Sequence, residues 1–404
     1  MKKETKKAPT IRFRGFTDDW EQRKLGDYVT IISGDAPSKF DEGNELYVKV
    51  DDLNCNSKYV IDSKNKVALH ESINKAPEGS VVFPKRGAAI MTNKVRILAD
   101  DCYIDTNLMA LSSNKIDSEF LYNIISKEGL YKIADTSTIP QINNKHIEPY
   151  EVLLPRLDEQ RTIGKFFKDV DNFITLHQRK LDQLKTLKKY FLQNMFPAKG
   201  EKVPRIRFKG FTGDWEQKKL KDVYNHIGNA FVGTATPYYV KDGHFYLESN
   251  NVKDGQINRN TEVFINDKFY KSQKDKWLHT GDIVMVQSGH VGHSAVIPSQ
   301  LNNTAAHALI IFKKPKIKID PYFLNYQYQT TKSKKQFDNI TVGNTIKHIL
   351  ASSMYNFIID MPSYEEQQEI AHYLKEIDNL ITLHQRKLDQ LQIMKKFMLQ
   401  NLFI

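Results

Sequence analysis

The sequence has little cysteine and no long apolar run. Its two cysteines, Cys55 and Cys102, are too few for a disulfide framework and match no zinc spacing. No apolar stretch approaches the roughly 18 residues that a membrane-spanning helix needs. The basic start MKKETKKAPT is not followed by the apolar core of a signal peptide. We therefore expect a cytoplasmic protein in a reducing compartment, with no membrane partner.

Signatures of catalysis are also missing. There is no glycine-rich loop ending in GK[ST], which excludes an ordinary P-loop. His290, His293 and His307 are accompanied by no cysteine and no HExxH pattern, so we expect no metal site. The string Glu216-Gln217-Lys218 resembles a fragment of a nuclease motif but lacks a partnered aspartate. We predict a chain that is not an enzyme and binds no cofactor itself.

The charge balance is basic, with 59 Lys and Arg against 48 Asp and Glu, a formal net charge of +11. This balance favours a polyanionic partner, although many ordinary soluble proteins share it. The length of 404 residues gives room for two or three domains, and 40% hydrophobic residues are enough for real cores.

The chain contains two internal repeats. Residues 171–196 read DNFITLHQRKLDQLKTLKKYFLQNMF and residues 378–403 read DNLITLHQRKLDQLQIMKKFMLQNLF, with 19 of 26 positions identical at an offset of 207. Residues 11–27 and 206–222 read IRFRGFTDDWEQRKLGD and IRFKGFTGDWEQKKLKD, with 13 of 17 positions identical. Repeats of this kind reveal the architecture before any local pattern does.

The first repeat has the spacing of a long amphipathic helix. Its apolar residues recur in steps of three and four, and neither glycine nor proline occurs from 165 to 196. We predict a packed stripe of Ile163, Phe166, Val170, Phe173, Ile174, Leu181, Leu184, Leu187, Phe191 and Met195, matched by Ile370, Tyr373, Ile377, Leu380, Ile381, Leu388, Leu391, Met394, Met398 and Leu402. A helix of about 38 residues is roughly 57 Å long, and its own second copy is the obvious partner. Asp158 is expected to cap the first helix, and Ser363 with Glu366 to form a capping box at the second.

Two globular stretches, 28–154 and 223–361, follow the shorter repeat. Val81-Val82-Phe83 and Ile283-Val284-Met285 predict buried strands, and residues 120–125 and 322–326 predict short helices. Trp20 and Trp215, at equivalent places, are expected to anchor the two domains. We predict an α+β (mixed α/β) fold with globular domains at 1–154 and 206–361, separated by two long antiparallel coiled-coil helices at 155–197 and 362–404. Residues 198–205 form a linker. The expected arrangement is pseudo-two-fold and circular, because the second helix returns to the place where the chain begins.

The duplicated framework resembles the specificity subunit of Type I restriction–modification enzymes. The resemblance rests on the paired RFxGFTxDWExxKL starts, the PxxxEQ motifs at Pro155 and Pro362, and the repeated helices. It implies two target-recognition domains that each read one half of a bipartite site in double-stranded DNA. It also implies helices that set the spacer and bind two modification (adenine methyltransferase) subunits, with restriction subunits in the full complex. S-adenosylmethionine, ATP and Mg would then be bound by the partner subunits.

Four matched segments are candidates for DNA contact. Lys85 and Arg86, before Gly87, are matched by Gln287, Ser288 and His290 after the equivalent strand. Arginine and lysine suit guanine edges, and glutamine suits adenine, but an ordinary surface turn explains these residues equally well. Nearer the end of each domain, the candidates are Asn143, Asn144, Lys145 and His146 in one domain and Asn344, Lys347 and His348 in the other. A capped loop before a strand at Ile147 or Ile349 is the alternative there.

Four further residues are weaker candidates. Lys94 and Arg96 could bind phosphates, and an ordinary solvated strand is the alternative. Lys49 and Glu248 lie at equivalent strand ends.

Two other functions remain open at this point. A protein-only scaffold could use the helices to join two binding domains, and would show no preference among DNA sequences. A self-contained methylating enzyme would need an Asn/Asp-Pro-Pro-aromatic motif, which Glu148-Pro149-Tyr150 does not supply.

Overall fold

The chain was analysed as a computed structural model, which describes residues 8–55, 57–135, 139–343 and 347–404. These residues form two compact units. The first unit contains the chain up to Gln178 together with Arg386–Ile404, and the second unit contains Arg179–Gln385. Each unit therefore includes part of both long helices. In the described part of the chain, no helix is both long and apolar enough to cross a membrane.

The first unit is a mixed α/β structure. Its elements are β1 Glu21–Lys24, β2 Thr30–Ser33, β3 Glu45–Val48, β4 Tyr59–Val60, β5 Lys66–Val67, β6 Val81–Pro84, β7 Arg96–Leu98, β8 Tyr103–Ile104, β9 Leu108–Ser112, α1 Ser118–Glu128, α2 Asn144–Ile147, β10 Glu151–Leu154 and the start of α3 Leu157–Asn194. Strands β2-β9-β6-β7-β4 form the central sheet, β5-β3-β8 form a smaller sheet, and β1 pairs with β10.

The second unit repeats this plan with additions. Its elements are β11 Glu216–Lys219, α4 Leu220–Val223, β12 Tyr224–Asn229, β13 Tyr239–Val240, β14 His244–Leu247, β15 Val252–Lys253, β16 Gln256–Ile257, β17 Val263–Ile265, α5 Asp267–Ser272, β18 Ile283–Val286, β19 Ser294–Val296, β20 Ala305–Ala306, β21 Leu309–Pro315, α6 Pro321–Tyr328, α7 Thr331–Ile340, α8 Ala351–Met354, β22 Ile358–Met361 and the start of α9 Tyr364–Asn401. The order β12-β21-β18-β19 corresponds to β2-β9-β6-β7, and β17-β14-β20 corresponds to β5-β3-β8. The mixed α/β prediction is confirmed, as are the buried strands β6 and β18 and the helices α1 and α6.

The start of each long helix is fixed by a buried ion pair with the short repeat. Arg12 donates from Nε and Nη2 to the two carboxylate oxygens of Glu159, both at 2.7 Å. Arg207 and Glu366 form the same two-bond pair at 2.7 Å in the second unit. A two-bond arginine–carboxylate contact fixes orientation as well as distance. The glutamate of the PxxxEQ motif therefore joins the short repeat to the helix.

The glutamine of the same motif joins each helix to the globular part. Gln160 accepts from the backbone N–H of Asp117 at 3.1 Å and donates to the carbonyl of Pro155 at 2.9 Å. Gln367 makes the equivalent contacts with Asp320 and Pro362, at 3.0 and 3.1 Å. Asp117 and Asp320 are the N-caps of α1 and α6, so one side chain fixes the relative position of two helices.

The expected helix caps are only partly correct. Asp158 lies inside α3, which begins at Leu157, and its carboxylate accepts from the N–H of Glu159 at 3.0 Å. Ser363 does accept from the backbone N–H of Glu366 at 3.3 Å. The Glu366 carboxylate, however, binds Arg207 rather than completing a capping box, because the charged partner offers a stronger hydrogen bond than a backbone N–H.

The end of each long repeat completes the core of a unit. Phe403 packs against Trp20, Phe120 and Phe167, with ring centroids 6.3, 5.2 and 5.9 Å away. In the second unit, Phe196 packs against Trp215 and Phe323 at 6.1 and 5.4 Å. The prediction that the two tryptophans anchor the domains is confirmed, because both are buried in these clusters.

Within each unit the two helix segments are antiparallel, as predicted. In the first unit Asp171 pairs with Lys395 at 2.6 Å, while Phe167 stacks on Phe403. In the second unit Lys188 pairs with Asp378 at 2.7 Å, an equivalent contact with the roles of the helices exchanged.

The packed stripe is narrower than the sequence pattern indicates. Five equivalent positions are buried on each helix: Ile163, Phe167, Val170, Leu181 and Leu184 on α3, and Ile370, Leu374, Ile377, Leu388 and Leu391 on α9. Phe173, Leu187, Leu380 and Met394 were predicted in this stripe and are exposed instead. At 100° per residue they lie on a separate arc of the helix, so the prediction merged two apolar faces into one.

We predict that Phe403→Ala destabilises the first unit by about 3–5 kcal/mol, the usual cost of deleting a buried phenylalanine side chain. Phe196→Ala should destabilise the second unit by a similar amount. Amide hydrogen exchange at β6 and β18 would report the two units separately. Phe397→Ala is the control, because that ring is 52% exposed and lies near the end of α9, shortly before Phe403. Faster exchange at β18 rather than β6 in Phe403→Ala would contradict the assignment.

Candidate nucleic-acid interface

In the first unit, two candidate segments distant in sequence lie side by side. After β6, the N–H of Ile142 donates to the carbonyl of Lys85 at 2.9 Å, and the N–H of Gly87 donates to that of Pro140 at 2.8 Å. Arg86 thereby forms an isolated antiparallel bridge with Gln141. The segment after β6 and the segment before α2 therefore form one surface.

The second unit joins its candidate segments in the same way. The N–H of Ile349 donates to the carbonyl of Gln287 at 2.8 Å, and the N–H of Gly289 donates to that of Lys347 at 3.1 Å. Ser288 and His348 form the equivalent bridge, and the Ser288 hydroxyl lies 2.5 Å from Nδ1 of His348. We call these paired segments the first and second reading loops, residues 85–87 with 140–146 and residues 287–290 with 347–349.

A glycine fixes the turn in each reading loop. Gly87 and Gly289 have φ of 73° and 77°, in the region that residues with a Cβ atom avoid. The space around a Cβ built at either glycine is open. Glycine is therefore required by the backbone conformation and not by lack of space. The shared conformation gives the residues before the two glycines, Arg86 and Ser288, equivalent positions.

The charges of the two loops differ at equivalent positions. Arg86 is exposed and Lys85 is half-buried, and the pKa of Lys85 is lowered by burial and then by the charge of Arg86. Two cations held close together repel each other, and an anionic partner relieves that repulsion when it binds. The pair therefore favours binding of an anion. In the second loop the matching residues are the neutral Gln287 and Ser288.

The remaining candidates of the first loop lie at the start of α2. Asn143 is the N-cap of this helix, and its N–H donates to Nδ1 of His146 at 3.0 Å. Asn143, Asn144 and Lys145 are exposed, whereas His146 is half-buried. The strand considered at Ile147 is absent from the described structure, since Ile147 ends α2, and Ile349 lies in a loop.

The second loop is less exposed than its sequence suggests. Gln287 is only 6% exposed, because it directly continues the buried strand β18. His290 and Lys347 are exposed, and His348 is half-buried. Asn344 lies outside the described residues.

Lys94 and Arg96 contact the 54–55 segment of their own unit. Arg96 donates to the carbonyls of Val95 and Cys55 at 2.7 and 2.9 Å, and Lys94 donates to the side chain of Asn54. These contacts give both residues a role in holding the chain between β3 and β4.

Lys49 and Glu248 occupy equivalent positions at the start of 3-10 turns after β3 and β14. The N–H of Lys49 donates to the Asp52 carboxylate at 2.7 Å. Glu248 accepts from the Tyr239 hydroxyl at 2.5 Å. Burial, and then this hydrogen bond, raises the pKa of Tyr239 to about 12. The charge at this position is thus reversed between the units.

The described residues around these loops form no metal centre. Across residues 8–55, 57–135, 139–343 and 347–404, no group of three or more His, Cys, Asp or Glu side chains could hold a metal ion. His290 and His293 have ring centroids 6.3 Å apart.

Sequence reasoning missed two surfaces that the structure reveals. One is a set of exposed apolar residues at repeated positions of α3 and α9, of which the spacing pattern placed only Phe173, Leu187, Leu380 and Met394 in the packed stripe. The other is a lysine-lined cavity in the second unit. Its residues come from five segments of the chain, and no local sequence signal joins them.

Comparison with known proteins agrees with the internal repeats. The family model described as "Type I restriction modification DNA specificity domain" matches residues 17–186 and 212–392. The chain is 27% identical over 401 residues to the Type I restriction enzyme MjaVIII specificity subunit of Methanocaldococcus jannaschii, covering 94% of this chain and 91% of that protein. It is 20% identical over 284 residues to the Escherichia coli EcoBI specificity subunit, covering 66% of this chain and 60% of that protein.

The fold is shared with a solved structure. The S subunit of a Type I restriction–modification system from M. genitalium superposes with a TM-score of 0.65 at 10% identity, covering 98% of this chain and 99% of that chain. The family match covers most of the sequence and both copies of the repeat. The chain therefore belongs to the Type I restriction modification DNA specificity family, whose members are the non-catalytic DNA-recognition subunits of Type I restriction–modification enzymes.

Proposed function

We propose that each unit reads one half of a bipartite site in double-stranded DNA through its reading loop. The observation that carries this proposal is the equivalent backbone pairing of two distant segments in both units, with different side chains on the same scaffold. A subunit that recognises two unlike half-sites needs this combination. Arg86 suits a guanine edge, and hydroxyl and imidazole groups such as Ser288 and His348 suit neutral hydrogen bonding to bases.

The long helices carry a surface suited to a partner protein. We call it the exposed apolar stripe: Phe173, Leu176, Leu187 and Tyr190 on α3, and Leu380, Leu383, Met394 and Phe397 on α9. The two sets are equivalent at an offset of 207, and each lies within an arc of about 100°. Exposed apolar surface of this kind indicates a protein-binding site.

Each unit presents the same four stripe positions. The first unit contributes Phe173 and Leu176 with Met394 and Phe397, and the second contributes Leu380 and Leu383 with Leu187 and Tyr190. Equivalent surfaces bind equivalent partners, so we propose that the chain binds two modification subunits. S-adenosylmethionine, ATP and Mg would then be bound by the modification and restriction subunits, and the complex would act on DNA in the cytoplasm.

The helices are also proposed to set the spacer between the half-sites. Both are unbroken over 38 residues, and each contributes residues to both units. A continuous helix has a fixed rise per residue, so its length sets the distance between the segments that it joins. A flexible loop does not fix that distance. The spacer should therefore depend on helix length and the half-sites on the loops.

We predict that Arg86→Ala weakens binding to the cognate duplex by about 1–3 kcal/mol and relaxes the preference at one half-site only, because a base contact is lost. Ser288→Ala should affect the other half-site. Binding of the complex with its modification subunits to duplexes randomised in one half would measure both effects. The matched control is Lys64→Ala, which removes a charge from an exposed lysine of the same unit outside the loop. If the unaltered complex binds scrambled DNA equally well, the chain is a scaffold without sequence preference.

We predict that Leu176→Asp and Leu383→Asp each weaken one of two modification-subunit sites by about 2 kcal/mol, or about thirtyfold, because an apolar contact is replaced by a buried charge. The double variant should lose both subunits, as measured by native mass spectrometry. Thr175→Asp is the control, since it introduces the same charge next to Leu176, about 100° around the helix. Retention of two subunits by the double variant would show that the stripe does not bind them.

We predict that inserting seven residues after both Gln178 and Gln385 lengthens the DNA spacer and leaves both half-sites unchanged. Two helical turns add about 10 Å, which corresponds to about three base pairs at 3.4 Å each. Mapping of methylated sites in the host genome reads the spacer directly. The same insertion in the 198–205 linker should leave the spacer as it was. Altered half-site bases with an unaltered spacer would refute the role of the helices.

A further inference from the structure

The second unit contains a cavity of about 960 Å³. All of its lining residues belong to this unit. They come from α3, the β15–β16 hairpin, the segment before β19, the α6–α7 junction and α9. The cavity is therefore built where the globular part meets the long helices.

The lining carries more positive than negative charge. It includes five lysines, Lys185, Lys188, Lys189, Lys253 and Lys334, and three aspartates, Asp254, Asp338 and Asp378. Lys188 and Asp378 neutralise each other at 2.7 Å. The other four lysines are exposed, and in the described part of the chain no carboxylate lies within 4.0 Å of any of them. Four unpaired cations around one cavity define a site for an anion.

Neutral hydrogen-bonding groups also line the cavity, together with the apolar residues Leu192, Val291 and Ile381. Asn260 and Thr331 supply amide and hydroxyl donors, whereas the amide groups of Asn258 and Gln329 donate to backbone carbonyls of their own unit. Side chains of these types commonly donate to phosphate oxygens in DNA complexes, together with lysine. Two aromatic residues, Tyr328 and Phe337, also line the cavity, but their rings are buried in the core of the unit.

The cavity adjoins the second reading loop. Gly292 and His293 are among its lining residues, and they follow the loop directly. The N–H of Val286 donates to the carbonyl of His293 at 2.7 Å, which returns the chain to the end of β18. Burial lowers the pKa of His293, Asp254 opposes this, and Lys334 and Lys253 lower the pKa further. Lys253 and Lys334 line the same cavity as His293, at the end of the loop.

The equivalent place in the first unit is filled by the protein's own lysine. Asp171, the counterpart of Asp378, accepts from Lys58 at 2.7 Å, and Lys58 also pairs with Glu119 at 2.6 Å. The Lys58 side chain is only 8% exposed. In the second unit, Tyr326 contacts Asp378 instead, at 2.9 Å.

We propose that the cavity of the second unit binds the sugar–phosphate backbone of double-stranded DNA beside the half-site that this unit reads. The inference rests on the proposed function, and adds a contact that holds DNA without reading its bases. Each lysine that neutralises a phosphate releases condensed counterions, which supplies affinity independent of sequence. An acidic segment of a partner protein would satisfy the same lysines, but the continuity of the cavity with the reading loop favours DNA.

The test compares three double variants of the full chain in complex with its modification subunits. Lys253→Gln with Lys334→Gln, and Lys185→Gln with Lys189→Gln, each remove two charges from the cavity. Lys268→Gln with Lys274→Gln is the control, because both are exposed lysines of the same unit outside the cavity. Binding to a cognate and a scrambled duplex is measured from 50 to 200 mM salt.

For the cavity variants we expect the slope of log K against log salt to fall by about 1 per lysine. Affinity should fall by the same factor for cognate and scrambled DNA, so that their ratio is unchanged. The control should match the unaltered complex. Lys253→Arg with Lys334→Arg keeps the positive charge and changes the shape of the side chains. An unchanged slope in this variant would show that the effect depends on charge and not on packing.

Four results would overturn the proposal. If the slope, the affinity and the cognate preference are all unchanged, the cavity does not contact DNA, and the proposed function is unaffected. A changed cognate-to-scrambled ratio would show that the cavity reads bases, and loss of a modification subunit with an unchanged slope would assign it to a protein. Equal binding of both duplexes by the unaltered complex would instead defeat the proposed function, and with it this inference.

Discussion

The structure depends on the burial of each helix end in a core formed mainly by a distant part of the chain. Phe403 lies against Trp20 and Phe120, so the first unit needs residues from both ends of the sequence. Phe196 serves the second unit in the same way. Because each unit takes its core from both long helices, the first unit combines two separate stretches of the chain, whereas the second is the continuous stretch 179–385. The end of the sequence therefore lies in the same unit as its beginning.

The framework contacts are separate from the reading loops, which explains how the units can differ. The Arg12–Glu159 and Arg207–Glu366 pairs and the glutamine contacts lie at the helix starts. The loops are held by backbone hydrogen bonds and a glycine turn, neither of which depends on the neighbouring side chains. A substitution at Arg86 therefore costs little folding energy, whereas one at Ser288 also removes the contact of its hydroxyl with His348. Recognition can change while the framework is kept.

The sequence predicts the framework well because the framework is local or repeated. Two helices of 38 residues and the strands at Val81 and Ile283 follow from periodicity and composition. The spacing of three and four could not separate the packed face from the exposed face, because Phe173 and Leu380 fit both. It also could not show that Gln287 is buried or that Arg96 binds backbone carbonyls. Those outcomes depend on which segment lies opposite, and the pairing of the reading loops is a contact between distant segments.

The two units carry their positive charge in different places relative to the reading loop. Direct contact with bases gives specificity, whereas most affinity for DNA comes from phosphate contacts. In the first unit the cations Lys85, Arg86 and Lys145 lie in the reading loop itself. Lys58 is neutralised by ion pairs with Glu119 and Asp171. In the second unit the residues at the positions of Lys85 and Arg86 are neutral, and four unpaired lysines surround the adjacent cavity. If the second unit reads a half-site as proposed, the lysines beside its loop supplement Lys347, the one lysine within the loop, in holding the DNA.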